Sequence, residues 1–238
     1  MSKILTVSGL SVGFNSHQVI HDLSFDLDRG ENLAVIGPNG SGKTVLLKCL
    51  LGLIPYQGTV AWDEDVKLGY VPQKIDADRH LPLSLQNLLE AKANALRLPE
   101  SEVRSVIATV GLQASLLNSP IGQLSGGQFQ KALIAFALLG QPNVILFDEP
   151  TASLDQLAEE HVYDLIHDLQ EKQNLTIILV SHELSVVYRY ATKVLCLNKQ
   201  KVCFGAPKEA LTTEVLAQLY ETRPHYHHHE EHDQHHDH

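Results

Sequence analysis

Eight residues constrain this chain more than any others. "GPNGSGKT", Gly37 to Thr44, sits between a short apolar run, "NLAVIG", and a helical pattern, "KTVLLKCLLGL". It has the spacing G-x-x-x-x-G-K-[ST], in the strand–loop–helix context that the spacing requires. Glycines let a backbone wrap with its N–H groups pointing inward, and a helix N-terminus adds positive partial charge; both suit phosphate oxygens. Gly37, Pro38, Asn39, Gly40, Ser41 and Gly42 are therefore expected to cradle phosphates. Lys43 is expected to reach the terminal phosphates, and Thr44 to ligate Mg²⁺. The alternative is a plain Gly-rich turn, and the flanking strand and helix patterns weaken it.

The rest of the pattern fits a sheet that presents such a loop. Ile4, Leu5, Val7, Val19, Ile20, Leu23, Phe25 and Leu27 alternate with polar residues and predict two or three antiparallel strands. From about Leu83 to Leu139 the pattern turns helical, which predicts an inserted helical subdomain. Strand pattern returns in "NVILF" and "LTIILVS", with a helix between them whose apolar face is expected to hold Leu157, Val162, Leu165 and Leu169. Strands alternating with helices predict an α/β fold with a sheet covered on both sides.

Two further stretches carry chemistry. "VILFDEP" reads as a buried strand ending in two carboxylates, at the strand end where open α/β sheets bind ligands. Asp148 is expected to hold Mg²⁺, and Glu149 to take a proton from the attacking water. "LSGGQ", Leu124 to Gln128, again places a hydroxyl and glycines before a helix, so Ser125, Gly126, Gly127 and Gln128 form a second anion-type loop. A simple N-cap serine is the alternative there. A guanine reader is not evident: "NKQK" at Asn198 has Lys201 where an acceptor is needed, which favours ATP.

With these motifs, with "SLD" at Ser153 to Asp155, "VSHE" at Val180 to Glu183 and Gln73 in "YVPQK", the chain resembles the ATPase subunit of an ABC transporter from about Leu5 to Tyr220. The resemblance implies a P-loop NTPase of ABC type: a mixed core sheet, an N-terminal antiparallel β-subdomain and an inserted α-helical subdomain. It implies one ATPase domain over 1–220, with the helical insertion at about 83–139 and a tail at 221–238. It implies two copies paired head to tail, each ATP lying between the phosphate loop of one and the signature loop of the other. By the same resemblance, His182 contacts the γ-phosphate and Gln73 touches Mg²⁺ or the attacking water. Asp155 joins the two sites, and Phe14 stacks on adenine. Val45, Phe14, Phe129 and Lys131 depart from the usual family residues without removing a catalytic group.

The net charge of -10 argues against a nucleic-acid partner. No apolar run is long enough to span a bilayer, so any membrane role is expected to come through integral-membrane permease subunits, at the cytoplasmic face of the inner membrane. Cys49, Cys196 and Cys203 make no CxxC pair and are expected to be buried, reduced thiols. His161 and His167 are expected at the surface.

The chain ends in a His-rich tail, expected to be disordered, with His225, His227, His228, His229, His232, His235, His236 and His238 interleaved with acids. Imidazole suits zinc and its neighbours, so the tail is expected to bind transition metal weakly. A purification tag is the alternative. The segment "GYVPQKIDADRHLPLSLQNLL" resembles that of zinc and manganese importers, whose permease is served by an extracytoplasmic metal-binding protein. Zinc is the first expectation for cargo; manganese, nickel and iron-chelate transport are alternatives, and a soluble ABC-type switch outside transport is an alternative of another class.

Overall fold

The structure, a computed structural model, describes residues 2–15, 17–73, 82–152 and 154–220. The chain opens with strands β1 (Lys3–Phe14) and β2 (His17–Asp28), followed by β3 (Asn32–Ile36), helix α1 (Lys43–Leu50), β4 (Gln57–Trp62) and β5 (Leu68–Val71). A helical stretch follows: α2 (Leu85–Ala95), α3 (Glu100–Thr109), two short 3-10 turns and α4 (Gly126–Leu138). The order then alternates through β6 (Val144–Asp148), α5 (Gln156–Gln173), β7 (Thr176–Val180) and α6 (Leu184–Tyr190). It closes with β8 (Lys193–Asn198), β9 (Gln200–Gly205), α7 (Pro207–Ala210) and α8 (Thr213–Tyr220).

These strands form two sheets. The smaller is antiparallel in the order β2-β1-β4, and the larger runs β5-β6-β7-β3-β8-β9. All neighbours in the larger sheet are parallel except β8 and β9. Buried on both faces, β3, β6 and β7 are unbroken apolar runs apart from their termini. Their period-two alternation sorts each strand between two cores. Val144 and Leu146 pack with α1 and the small sheet, whereas Ile145 and Phe147 pack with α2 to α5. This layering fixes the carboxyl ends of β3, β6 and β7 side by side, with the loops after them on one rim.

Three expectations are corrected. Leu157 lies in the first turn of α5 and is 64% exposed, because the core reaches that helix only from Val162 onward, through Val162, Tyr163, Ile166 and Leu169. His167 is half-buried, its ring tilted against Tyr190 at 5.3 Å and its Nδ1 buried without a partner; His161 is exposed as expected. Cys196 and Cys203 are joined in a disulfide rather than reduced. The β8–β9 pairing sets them directly opposite each other with Cα atoms 4.7 Å apart, inside the range a disulfide spans. Cys49 is a buried free thiol whose pKa burial pushes up to about 11. "NKQK" forms the β8–β9 turn, with Lys199 at φ 64. The tail, Ser153 and residues 74–81 of the segment Gly69 to Leu89 lie outside the described residues.

Candidate nucleotide-hydrolysis site

The loop from Gly37 to Gly42 links β3 to α1. Its shape depends on close packing against β8. A Cβ at Gly37 would lie 2.0 Å from the Leu197 carbonyl oxygen, so no other residue fits there without moving backbone. The Lys199 N–H also donates to the Ser41 carbonyl at 3.2 Å. Gly42 precedes α1 at φ 102, a left-handed conformation that suits glycine, and no side chain caps that helix end. The N–H groups of the first turn are thus left for a ligand.

The loop borders a cavity of about 520 Å³ lined by Asn39, Gly40, Gly42, Lys43, Thr44, Gln73 and Glu149, with Val19 and Val45 as its apolar wall. Lys43 is buried, and its Nζ donates to the carbonyls of Gly37 at 2.9 Å and Pro38 at 3.1 Å. Glu149 Oε1 stands 3.8 Å from the same ammonium. Burial pulls the Lys43 pKa below the ordinary lysine value, while Glu149 and Asp148 oppose that shift.

Asp148 ends β6 and is buried; Thr44 Oγ1 donates to its Oδ1 at 3.1 Å. Burial pushes the Asp148 carboxyl above the usual carboxylate range, the Thr44 bond lowers it and Glu149 raises it further. Glu149 has φ 47, an unusual conformation for a residue with a side chain, and one that turns it away from the strand direction of Asp148. Its Oε2 accepts from Gln73 Nε2 at 2.7 Å.

The donor set fits nucleotide phosphates and a magnesium ion. Ser41 Oγ is buried with no hydrogen-bond partner, inside a loop of inward backbone. Thr44, Asp148 and Gln73 supply the hard oxygen ligands that Mg²⁺ takes. Chemically, a cation for phosphate charge, the Glu149 carboxylate and the Gln73 carboxamide line one cavity, and a second carboxylate, Asp148, is bonded to Thr44 on its wall.

Other predicted residues lie elsewhere. Phe14 ends β1 and is 46% exposed, so it is not a core residue. His182 is exposed, two residues beyond β7. Asp155 N-caps α5, accepting from the Ala158 N–H at 2.9 Å. Ser125 N-caps α4 and forms a capping box: Gln128 N–H donates to Ser125 Oγ at 3.3 Å, and Ser125 N–H to Gln128 Oε1 at 3.0 Å. None of Phe14, Ser125 to Gln128, Asp155 or His182 lines the phosphate-loop cavity.

Two contributors were missed in the sequence. Val19 lines the cavity, and its only signal is its place just after the β1–β2 turn. Tyr70, on β5 beside β6, has its pKa pushed up to about 12 by burial first and by the Asp148 charge next. Its signal was its place on the strand leading to Gln73.

A phosphate loop packed on β8, a β6 carboxylate bonded to its threonine, and a second carboxylate facing the loop lysine define a P-loop nucleotide hydrolase. The ABC transporter family model matches residues 20–152, and the chain belongs to that family, as an ATP-binding subunit that hydrolyses ATP. It is 36% identical over 213 residues to the zinc import ATP-binding protein ZnuC of Photorhabdus laumondii, covering 89% of this chain and 81% of that protein. The ZnuC of Roseobacter denitrificans is also 36% identical, covering 92% and 85% respectively. Among solved structures, an ABC transporter described as metal-chelate type, in an inward-facing conformation, superposes with a TM-score of 0.83 at 30% identity, covering 92% of this chain and 89% of that one. The cbiO1 protein of Clostridium perfringens, part of the cbiONQ transporter complex, gives 0.76 at 26% identity, covering 88% and 90%. No helix among the described residues is long and apolar enough to cross a membrane.

Proposed function

We propose that this chain powers the import of zinc, hydrolysing ATP as a pair of copies docked to integral-membrane permease subunits at the cytoplasmic face of the inner membrane. An extracytoplasmic metal-binding protein delivers the ion to the permease. The observation that supports hydrolysis is the convergence of Lys43, Glu149 and Gln73 over the phosphate loop. The support for zinc is the name borne by relatives that match 89% of the chain. The same relatives argue against a soluble switch outside transport.

In this reading the phosphate-loop N–H groups and Lys43 hold the phosphates, and Phe14 and Val19 flank the adenine. Thr44, Asp148 and Gln73 hold Mg²⁺, which when bound neutralises phosphate charge. Glu149 accepts a proton from the attacking water, held in place by the Gln73 amide. His182 contacts the γ-phosphate. Ser125 to Gln128 of the second copy close over the nucleotide, and Asp155 links the two sites. ATP drives closure because it binds the closed pair better than the open one. The helical stretch at about 83–139 carries the signature loop. The tail at 221–238 binds zinc weakly and takes no part in hydrolysis.

Metal uptake by cells lacking this chain tests the cargo. Zinc accumulation should fall and recover when the chain is restored. Unchanged zinc with a loss of manganese would overturn the zinc reading while leaving the ATPase intact.

A further inference from the structure

Strands β6 and β7 carry the two groups that this reading sets on the γ-phosphate side, Glu149 and His182. Their ladder ends at Asp148 and Val180, with one further bond from the Glu149 N–H to the Val180 carbonyl at 3.2 Å. Beyond that bond the chains diverge, and side chains take over. Thr151 Oγ1 donates to Glu159 Oε1 at 2.7 Å and lies 3.0 Å from Tyr163 Oη. On the neighbouring segment, Ser181 Oγ accepts the Glu183 N–H at 3.1 Å. Thr151, Tyr163 and Ser181 are buried, so these bonds are shielded from water.

The donor roles follow from chemistry. A carboxylate only accepts, so the Thr151 proton goes to Glu159, and the Thr151 oxygen then takes the Tyr163 proton. Both hydroxyl protons have an acceptor in this order. The two bonds join the segment bearing Glu149 to α5, the first of them one turn past Asp155, which caps that helix.

Resting on the role given above to Glu149, we infer that Thr151 and Tyr163 are positioning residues. Their hydroxyls tie the Glu149 segment to the start of α5 and so hold the carboxylate in place over the phosphate loop. Glu159 anchors the line.

Thr151→Val keeps the shape and removes the hydroxyl; Thr151→Ser keeps the hydroxyl and removes a methyl. Measured on the full chain, Thr151→Val should lower kcat about tenfold with KM for ATP unchanged, since a small misplacement of reacting groups is costly. Thr151→Ser should stay within about twofold of wild type, since it keeps the bond that sets the geometry. Wild-type kcat in Thr151→Val, or greater damage in Thr151→Ser than in Thr151→Val, would overturn the inference, the second outcome marking a packing role. If Thr151→Val does not fold, Tyr163→Phe replaces it: the same kcat loss is expected, and a normal kcat overturns the inference. Glu149→Gln is assayed in parallel. Normal turnover there removes Glu149 as the base, a failure distinct from that of the hydroxyl line.

Discussion

The two glycine loops of this chain begin alike and end differently. "GPNGSGKT" and "LSGGQ" each lead into a helix and each read as an anion site. In the first, α1 has no side-chain cap, Ser41 Oγ has no partner, and Lys43 is buried against backbone carbonyls. In the second, Ser125 and Gln128 satisfy one another in a capping box at the rim of the molecule. The first loop is therefore built inward, around a cavity, with donors held ready. The second is a finished helix end that faces outward and does not reach that cavity. In the proposed reading, one chain holds half of a composite site and displays the other half for a second copy.

That contrast can be broken by substitution. The largest effect is expected at Glu149: Glu149→Gln should lower ATP turnover on the order of 10²- to 10⁴-fold in a phosphate-release assay, as loss of a general base does. The glycines come next. Gly37→Ala drives a Cβ into the Leu197 carbonyl and should cost about 1–3 kcal/mol in denaturant unfolding, as overpacking does. Gly127→Ala is the counterpart. Its Cβ would meet the Ala158 Cβ at 3.5 Å, an ordinary contact, so the isolated chain should unfold no more easily and gain up to about 0.5 kcal/mol of helix propensity. Equal losses at both positions would erase the distinction between the loops.

Smaller effects sharpen it. Ser125→Ala removes the cap of α4 and should cost about 1 kcal/mol in the isolated chain. Asp148→Asn should raise ligand-free stability by about 1 kcal/mol at neutral pH while abolishing hydrolysis, because burial disfavours the ionised Asp148. The sign follows from the raised pKa. The penalty on wild type is complete above that pKa and fades as pH falls toward 3.8, the unfolded value, so the gap between variant and wild type should close on acidification. Thiol counting in denaturant without reductant should find Cys49 alone, and all of Cys49, Cys196 and Cys203 once reductant is added.

What the sequence revealed, and what it did not, follows the range of the interactions. The phosphate loop, the β6 carboxylates and the capping serine were legible because each is set by a few neighbouring residues and a strand or helix end. The disulfide was not, since Cys196 meets Cys203 only through a β8–β9 register that includes a shift next to Cys196. Leu157 fits the helical period, yet the core stops short of the first turn of α5. His167 looked like a surface residue by spacing and is half-buried because Tyr190, from another helix, covers it. Tyr70 and Thr151 carry no motif of their own. Tyr70 comes near Asp148 because the sheet order places β5 beside β6, and Thr151 is bonded because α5 brings Glu159 and Tyr163 to it.

In the proposed reading, the inward loop of one copy and the outward loop of another make one ATP site. Sedimentation of Glu149→Gln with saturating ATP should then show a species of twice the 26.3 kDa chain mass, returning to the single chain when Gly127→Asp is added to block the outward loop. Glu149→Gln remaining a single chain with nucleotide bound, or a pair that persists with Gly127→Asp, would contradict it.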